Sequence, residues 1–161
     1  MAVATDTEVL KTIRFFNGLS EEELDLVAYI CKKDTFEPGV LCQKEGVPDS
    51  RVNCIVKGQA GVEFHLNNVA FGSKDIVLYT LKEGDVFGWT SLINSAPWSS
   101  LRALEPVEVM YVDSEELLHL CETNTHIGYV LMKNLASLIA SRFRRQRMAT
   151  LNTLVSIRGE C

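Results

Sequence analysis

The feature that most constrains the fold is a run of closely spaced turn signals between residues 33 and 112. Short β-rich segments lie between these turns, as at 53–56, 60–64 and 76–79. A further strand is predicted at 101–112, interrupted by Pro106. Short strands at regular spacing predict a β-sandwich, a jelly roll or a barrel. The turn signals are Pro38-Gly39, Glu45-Gly46, Pro48-Asp49, Lys57-Gly58, Asn67-Asn68, Phe71-Gly72, Glu83-Gly84 and Phe87-Gly88.

Helical periodicity precedes this β-rich region. Apolar residues recur at helical spacing from a cap at Asp6 or Thr7 through Phe16, and Asn17-Gly18 is predicted to end this first helix. Ser20 and Glu23 then form a capping-box pattern, which predicts the start of a second helix. The apolar face of the second helix consists of Leu24, Val27, Ile30 and Cys31.

Helical periodicity returns after residue 112. Asp113 or Ser114 is predicted to cap one helix, and Asn124 or Thr125 to end it. A long final helix is predicted from His126 towards Leu154. Its apolar positions include Ile127, Val130, Leu131, Leu135, Leu138, Ile139, Phe143, Met148, Leu151 and Val155. This helix is longer than its own domain is expected to cover.

Length and composition indicate one globular domain. A chain of 161 residues suits a single core, with N-terminal helices at 1–32, a jelly roll at 33–112 and C-terminal helices at 113–161. A net charge of −5 argues against general binding to nucleic acid or anionic membranes. The N-terminus lacks a secretory signal pattern, and no run of about 18 apolar residues occurs, so we expect a cytoplasmic protein.

The five cysteines do not indicate a disulfide framework or a zinc knuckle. They are odd in number, widely spaced and without a C-x-x-C pair. Reduced, mostly buried thiols are the expected state of Cys31, Cys42, Cys54, Cys121 and Cys161.

The stretch 83–105 carries the backbone pattern of an anion site. Gly88 allows close approach to its amide, and Trp89-Thr90-Ser91-Leu92 can begin a helical turn with free N–H groups. We refer to residues 87–100 as the cassette. Its candidate ligand-binding residues are Phe87, Gly88, Trp89, Thr90, Ser91, Pro97, Trp98, Ser99 and Ser100.

Six motifs in a fixed order resemble the cyclic nucleotide-binding domain family, which includes the sensor domain of the catabolite activator protein. Each motif is weak alone, but their order and spacing cover nearly the whole chain. The resemblance implies an eight-stranded jelly roll with a long C-terminal helix behind the ligand site. The motifs are F-F-N-G-L-S-E-E-E-L at 15–24, F-E-P-G at 36–39, Q-K-E-G at 43–46, I-V-K-G at 55–58, L-K-E-G-D-V-F-G at 81–88 and R-A-L-E at 102–105.

The cassette departs from the family pattern at its two charged positions. In the family, Glu follows the F-G dipeptide and Arg ends the loop, whereas this chain has Trp89 and Pro97 there. Proline has no donor, and indole offers one N–H in place of an accepting carboxylate. Loss of a guanidinium–phosphate contact costs about 2 to 4 kcal/mol, so we expect weak or altered nucleotide binding. No ligand is certain from the sequence, and the candidates are a weakly bound cyclic nucleotide and another small anionic or aromatic ligand.

Two interpretations of Trp89 and Trp98 remain open. They either line a pocket for a flat or apolar ligand, or they fill and close a disused pocket. Arg102 is a candidate compensating charge for the missing arginine, although its place in a strand more simply points it to solvent.

The run Arg142, Arg144, Arg145 and Arg147 also permits two interpretations. On a helix these residues spread around more than half of the circumference, which indicates a solvated surface with some pairing to acidic neighbours. The alternative is an anion or partner contact near the ligand pocket. The replacement of the family arginine by Pro97 leaves the cassette without a guanidinium of its own. An arginine from elsewhere in the chain that reached the cassette would overturn the view that this recess has lost its guanidinium.

Enzymatic activity is not expected. A jelly-roll metalloenzyme needs closely spaced histidines on a strand, but the chain has only His65, His119 and His126, the last two in predicted helical segments. A G-x-S-x-G elbow, a Walker loop and a plausible Cys–His pair are also missing from the sequence. We expect no catalytic residues and no metal site.

The leading functional hypothesis is a non-catalytic ligand-sensing regulatory domain in which the pocket is coupled to the long C-terminal helix. The alternative is a protein-interaction or dimerisation module with a closed, ligand-free pocket. Residues 127, 131, 135 and 138 recur at heptad-like spacing, which is consistent with a homodimer through this helix. Seven residues follow Leu154, too few for a winged helix-turn-helix, so no DNA-binding domain is expected.

Overall fold

The computed structural model describes residues 6–68 and 72–158. The N-terminal part contains α1 (Asp6–Lys11), a 3₁₀ turn (Arg14–Phe16) and α2 (Glu21–Ile30). The prediction that the first helix continues through Phe16 is wrong, because the backbone is extended at Ile13. The break allows Ile13 to be buried together with both neighbouring phenylalanines, whose rings meet edge to face.

The predicted capping box at the start of α2 is confirmed. The Ser20 hydroxyl accepts from the Glu23 backbone N–H, and the Glu23 carboxylate accepts from the Ser20 backbone N–H. Leu24 and Val27 lie on the buried face of the helix as predicted. Two of the orphan N–H groups at the helix start are therefore satisfied by local side chains.

The central region is the predicted jelly roll, built from eight strands in two antiparallel four-stranded sheets. The strand order is β1-β8-β3-β6 in one sheet and β2-β7-β4-β5 in the other. The strands are β1 (Lys32–Phe36), β2 (Leu41–Gln43), β3 (Arg51–Lys57), β4 (Ala60–Asn68), β5 (Gly72–Leu81), β6 (Val86–Phe87), β7 (Ser100–Ala103) and β8 (Val107–Asp113).

Two details of the strand prediction are wrong. Asn67 and Asn68 continue β4 and pair with β5, so they do not form a turn, and Phe71 of the next turn signal lies outside the described residues. The segment 101–112 forms two strands in different sheets, because the chain crosses between the sheets at Pro106, which has no N–H for a ladder. Gly58 is required at this crossing, since a Cβ there would overlap the Pro106 carbonyl.

Two helices follow the strands. Asp113 caps α3 (Ser114–Thr123) by accepting from the backbone N–H groups of Glu115 and Glu116, as the sequence predicts. The final helix α4 is Thr125–Arg158. Its first turns pack in the core through four buried side chains, Ile127, Val130, Leu131 and Leu135. Each such side chain contributes about 1.5 to 3 kcal/mol of hydrophobic stabilisation.

Four described cysteines are free thiols, while Cys161 lies outside the described residues. Burial raises the pKa of Cys31 to about 12 and that of Cys42 to about 11. Burial also raises the pKa of Cys54 and Cys121, so these thiols stay protonated at neutral pH. None of the described helices combines the length and apolarity needed to cross a bilayer.

Candidate functional site

The cassette begins with a turn that only glycine can make. Gly88 has φ +77°, and a Cβ at this position would overlap the Arg51 carbonyl of β3. The chain then forms a 3₁₀ turn at Trp89–Ile93, and the hydroxyl and backbone N–H of Ser91 both donate to the Gly88 carbonyl at 2.7 and 3.1 Å. The turn therefore has a fixed path directly against the first sheet.

A cavity of about 340 Å³ lies between the cassette and α4. We call it the α4 cavity. It is more enclosed than a larger depression of about 590 Å³ on the outer face of the second sheet. Its volume falls within the range of small-molecule sites, roughly 300 to 1,000 Å³. The α4 cavity is lined by Gln43, Phe64, Tyr79, Gly88, Trp89, Thr90, Trp98, Ser99, Ile139, Arg142, Phe143 and Gln146.

Five of the predicted cassette residues line this cavity, and four lie beside it. Phe87 is buried in the core between the sheets, and Ser91 closes the cassette turn. The Pro97 carbonyl accepts from the Gly46 N–H at 2.9 Å, and the Ser100 hydroxyl accepts from the Glu45 N–H at 3.0 Å. These four residues shape the loop. The five in the lining are Gly88, Trp89, Thr90, Trp98 and Ser99.

The two tryptophans meet each other at the cavity. Their ring centroids lie 5.5 Å apart at an interplanar angle of 88°, an edge-to-face pair. Trp89 is 8% exposed, whereas Trp98 is 58% exposed and donates from Nε1 to the Ser95 hydroxyl at 3.1 Å. A cavity remains beside the pair, so the indoles line the space without filling it.

Arg102 does not reach the α4 cavity. Side chains alternate along β7, so Leu101 and Ala103 point into the core and Arg102 points to the opposite face. There its Nε donates to Glu63 at 2.8 Å and its Nη1 to the Gly39 carbonyl at 2.8 Å. The hydrogen bond to Glu63 raises the pKa of Arg102. The candidate compensating charge is thus held by a carboxylate on another surface.

Arg142 of α4 is the arginine that reaches the α4 cavity. Its side chain is half-buried in the lining, and its Nη2 donates to the Val86 carbonyl of β6. Burial lowers the pKa of this guanidinium, while the nearby Tyr79 and Asp85 act in the opposite direction. Arginine nonetheless remains charged in proteins. The structure therefore favours the second interpretation of the arginine run for this residue, and the expectation that the recess has lost its guanidinium is wrong.

A helical spacing in the sequence could have identified Arg142. The residues 131, 135, 138 and 142 are separated by four, three and four positions, which places Arg142 on the buried face of α4. Arg144 and Arg147 lie on the exposed surface, as a solvated helix predicts. The α4 cavity is also lined by three neighbours of Arg142 on the same side of α4, namely Ile139, Phe143 and Gln146.

Gln43 is the other polar group that sequence reasoning missed. Its side-chain Nε2 donates to the Ser99 carbonyl at 2.9 Å, which ties β2 to the cassette. Its Oε1 is buried and has no hydrogen-bond partner. Buried polar atoms are usually hydrogen-bonded, so this oxygen is a position at which a ligand donor would be favourable.

A hydrogen-bonded trio lies on the β4–β5 hairpin, away from the α4 cavity. The Ser73 hydroxyl is 2.6 Å from His65 Nε2, and His65 Nδ1 is 2.7 Å from the Asp75 carboxylate. The order matches a nucleophile, base and orienting carboxylate, but the carboxylate side chain is 54% exposed. Because water competes for an exposed carboxylate, we assign the trio to cross-strand stabilisation of the hairpin.

Metal chemistry has no support in the described residues. In this part of the chain, no three His, Cys, Asp or Glu side chains gather in a way that would hold a metal ion. Of the histidines, His126 pairs with Glu23 at 2.7 Å and His65 belongs to the hairpin trio.

Residues 33–124 match the family model of the cyclic nucleotide-binding domain. No curated protein is similar enough to the chain to count as a match. Among solved structures, the chain is similar to a candidate cyclic nucleotide-binding protein from Geobacter metallireducens GS-15. The TM-score is 0.70 and the identity 26%, over 88% of this chain and 99% of the other.

Two further structures share the fold. A cyclic nucleotide-binding domain from Methylobacillus flagellatus KT aligns with a TM-score of 0.77 and 21% identity, over 92% of this chain and 82% of its own. The catabolite activator protein of Thermus thermophilus aligns with a TM-score of 0.69 and 24% identity, over 88% of this chain and 63% of its own.

Proposed function

The chain belongs to the cyclic nucleotide-binding domain family, and from this premise we propose that it is a non-catalytic regulatory domain that senses a small ligand. The ligand binds in the α4 cavity, between the cassette and the second half of α4. One observation carries this proposal: α4 itself lines a cavity of ligand size together with five cassette residues. A ligand there contacts the rigid roll and the helix at the same time.

Coupling to the helix follows from this placement. A ligand shifts a conformational equilibrium only by its differential affinity for the two states. Ile139, Arg142, Phe143 and Gln146 contact the α4 cavity only while this part of α4 lies over the roll. A bound ligand therefore stabilises the closed helix, and the position of α4 is the regulatory output.

Cyclic nucleotides bind weakly in this proposal. Trp89 and Pro97 occupy the positions of the family Glu and Arg, so the sugar hydroxyl and the phosphate lack their usual partners in the cassette loop. Loss of the loop guanidinium alone costs about 2 to 4 kcal/mol, roughly 30- to 1,000-fold in affinity, and Arg142 restores such a contact only to an anion that reaches α4. The edge-to-face tryptophan pair favours a ligand with a flat ring instead.

Thermal shift and tryptophan emission test the proposal together. We expect ligands from a panel of cyclic nucleotides and flat organic molecules to raise the melting temperature and change the emission, because Trp89 and Trp98 line the α4 cavity. Ligand at 100 times its Kd should stabilise the protein by about 2.7 kcal/mol. A flat response across the panel would leave only the alternative, an interaction module with a ligand-free pocket.

We also propose a homodimer through α4, but through its distal half, because Ile127, Leu131 and Leu135 of the heptad-like series are buried in their own core. The apolar side chains of the distal half are exposed, and helix pairing would remove them from water. Sedimentation equilibrium tests this idea, with a strict monomer at high concentration as the contradicting result. The exposed residues are Phe143, Met148, Leu151 and Val155.

We also propose a cytoplasmic location. Four described cysteines are free, which is the usual state in a reducing compartment.

A further inference from the structure

We propose that the α4 cavity binds an aromatic anion whose negative group pairs with the Arg142 guanidinium of α4. This inference rests on the proposed sensing function and specifies the ligand class. It moves the anion contact from the cassette loop, where Pro97 offers no donor, to the C-terminal helix.

The side chains that line the α4 cavity carry a net positive charge. Among the described residues that line it, Arg142 is charged and none is Asp or Glu. The only hydrogen bond that Arg142 donates to the described part of the chain goes to the neutral Val86 carbonyl. Asp85 attracts this half-buried guanidinium, but among the described residues no carboxylate forms an ion pair with it, and a guanidinium has five N–H donors. A carboxylate or phosphate in the cavity would complete this pairing.

The wall of the α4 cavity is rich in aromatic side chains. Phe64, Tyr79, Trp89, Trp98 and Phe143 all contribute to the wall. Trp98 and Phe143 are largely exposed, at 58% and 69%. A flat ring between them would cover apolar surface that is now in water, and aromatic pairs gain further from edge-to-face contact. The lining therefore favours a planar aromatic body for the ligand.

Gln43 contributes a hydrogen-bond acceptor to the residues that line the α4 cavity. Gln43 Oε1 is buried and lacks a partner, and its side chain is fixed by the hydrogen bond to the Ser99 carbonyl. A ring N–H or hydroxyl of the ligand would satisfy this oxygen. The complete recognition pattern is an aromatic ring with one donor for Gln43 and one carboxylate or phosphate for Arg142.

Calorimetric titration of the full chain with matched probes tests this inference. The probes are indole-3-acetate, its neutral analogue indole-3-acetamide, phenyl phosphate and cyclic AMP. Arg142→Gln removes the cavity charge, and Arg144→Gln removes one charge from the exposed surface of the same helix as the control. Indole-3-acetate and phenyl phosphate identify whether the anionic group is a carboxylate or a phosphate.

At least one aromatic anion is expected to bind the native chain. Its affinity should fall about 10- to 100-fold in Arg142→Gln and less than about twofold in Arg144→Gln, because charge-assisted hydrogen bonds are lost only in the first. The acetamide should bind about tenfold more weakly than indole-3-acetate if the carboxylate is the preferred group. This comparison in the native chain holds even if Arg142→Gln does not fold.

Two outcomes would overturn the inference while leaving the sensing function intact. One is equal affinity for indole-3-acetate and indole-3-acetamide without binding of phenyl phosphate, and the other is tight cyclic AMP binding that Arg142→Gln does not change. If no probe binds the native chain, the inference is contradicted, whereas the sensing function is decided by the wider thermal-shift panel.

Discussion

The two halves of α4 have opposite environments, although they form one continuous helix. In residues 125–139, Ile127, Leu131 and Leu135 pack in the core with the N-terminal helices. Beyond residue 139, the described apolar side chains are largely exposed, and Arg142 is the residue that reaches back to the roll. We infer from this difference that the first half of α4 stabilises the fold, while the second half is free to respond to a ligand.

The largest effect expected from this comparison is on stability in the first half. Leu131→Ala removes a fully buried side chain and should lower the free energy of unfolding by about 2 to 5 kcal/mol. Phe143→Ala in the second half should change it by less than about 0.5 kcal/mol, because that side chain is mostly exposed. Urea denaturation of both variants measures the difference. Equal losses would break the distinction between the halves.

A smaller effect is expected at the hydrogen bonds that fix the first half. Asn134 donates to the carbonyls of Phe15 and Asn17 at 2.9 Å each, which joins α4 to the N-terminal 3₁₀ turn. Asn134→Ala should reduce stability by about 1 to 2 kcal/mol, since two hydrogen bonds are lost. Ser141→Ala, which removes a hydroxyl that donates to the Leu138 carbonyl of the same helix, is the matched control. A loss as large in the control would contradict this assignment.

The difference between the two halves also explains which parts could be predicted from sequence. The capping box at Ser20 and the cap at Asp113 depend on neighbours within three residues, so local pattern is sufficient. The glycine turns are equally local. The break of α1 at Ile13 was missed because it depends on burying Phe15 and Phe16 against distant residues of α4 and the sheets.

The cassette side of the candidate site follows from local sequence, whereas its α4 side has only a weak signal in the spacing of residues 131, 135, 138 and 142. Gly88 and Trp89 follow from the motif, and the outward direction of Arg102 follows from strand alternation between Leu101 and Ala103. Arg142 depends on how α4 is rotated over the roll, which a run of four arginines obscures. The unpartnered oxygen of Gln43 depends on the packing of β2 against the cassette, which no local pattern specifies.

The start of α4 should carry a pH dependence that its second half lacks. The Ser20 backbone N–H, with a further contribution from His126, lowers the pKa of Glu23 below its ordinary value. A carboxylate with a lowered folded pKa stabilises the protein above its unfolded pKa of about 4.3, and this contribution is lost as the pH falls. Glu23→Gln should reduce the loss of unfolding free energy at acid pH by about 0.5 to 1 kcal/mol, which is the range of a helix cap. We call this part of the stability curve the acid limb.

Stability against pH, measured by urea denaturation between pH 3 and about 7, checks this prediction against Glu22→Gln. Glu22 lies on the exposed surface of the same helix turn and is the matched control. An acid limb of unchanged slope in Glu23→Gln would show that this carboxylate does not contribute to acid sensitivity.

The smallest effect on stability is expected at the end of α4. Substitutions there should change the self-association of the chain instead. Leu151→Glu with Val155→Glu places charge on two exposed apolar positions and should alter unfolding by less than about 0.5 kcal/mol. The same change should dissociate the proposed α4 homodimer, because buried like charges oppose helix pairing. Sedimentation equilibrium distinguishes the two effects. A dimer that persists would place the interface elsewhere.

The central claim is that a ligand in the α4 cavity contacts the cassette and the second half of α4 together. Amide and indole N–H chemical shifts of the labelled chain, recorded during titration with aromatic acids, test it most directly. The account predicts concerted shifts at both tryptophan indoles and at residues 139–146, with residues 127–135 nearly unchanged. Saturable binding whose shifts are confined to other surfaces, with the indoles and residues 139–146 unaffected, would contradict it.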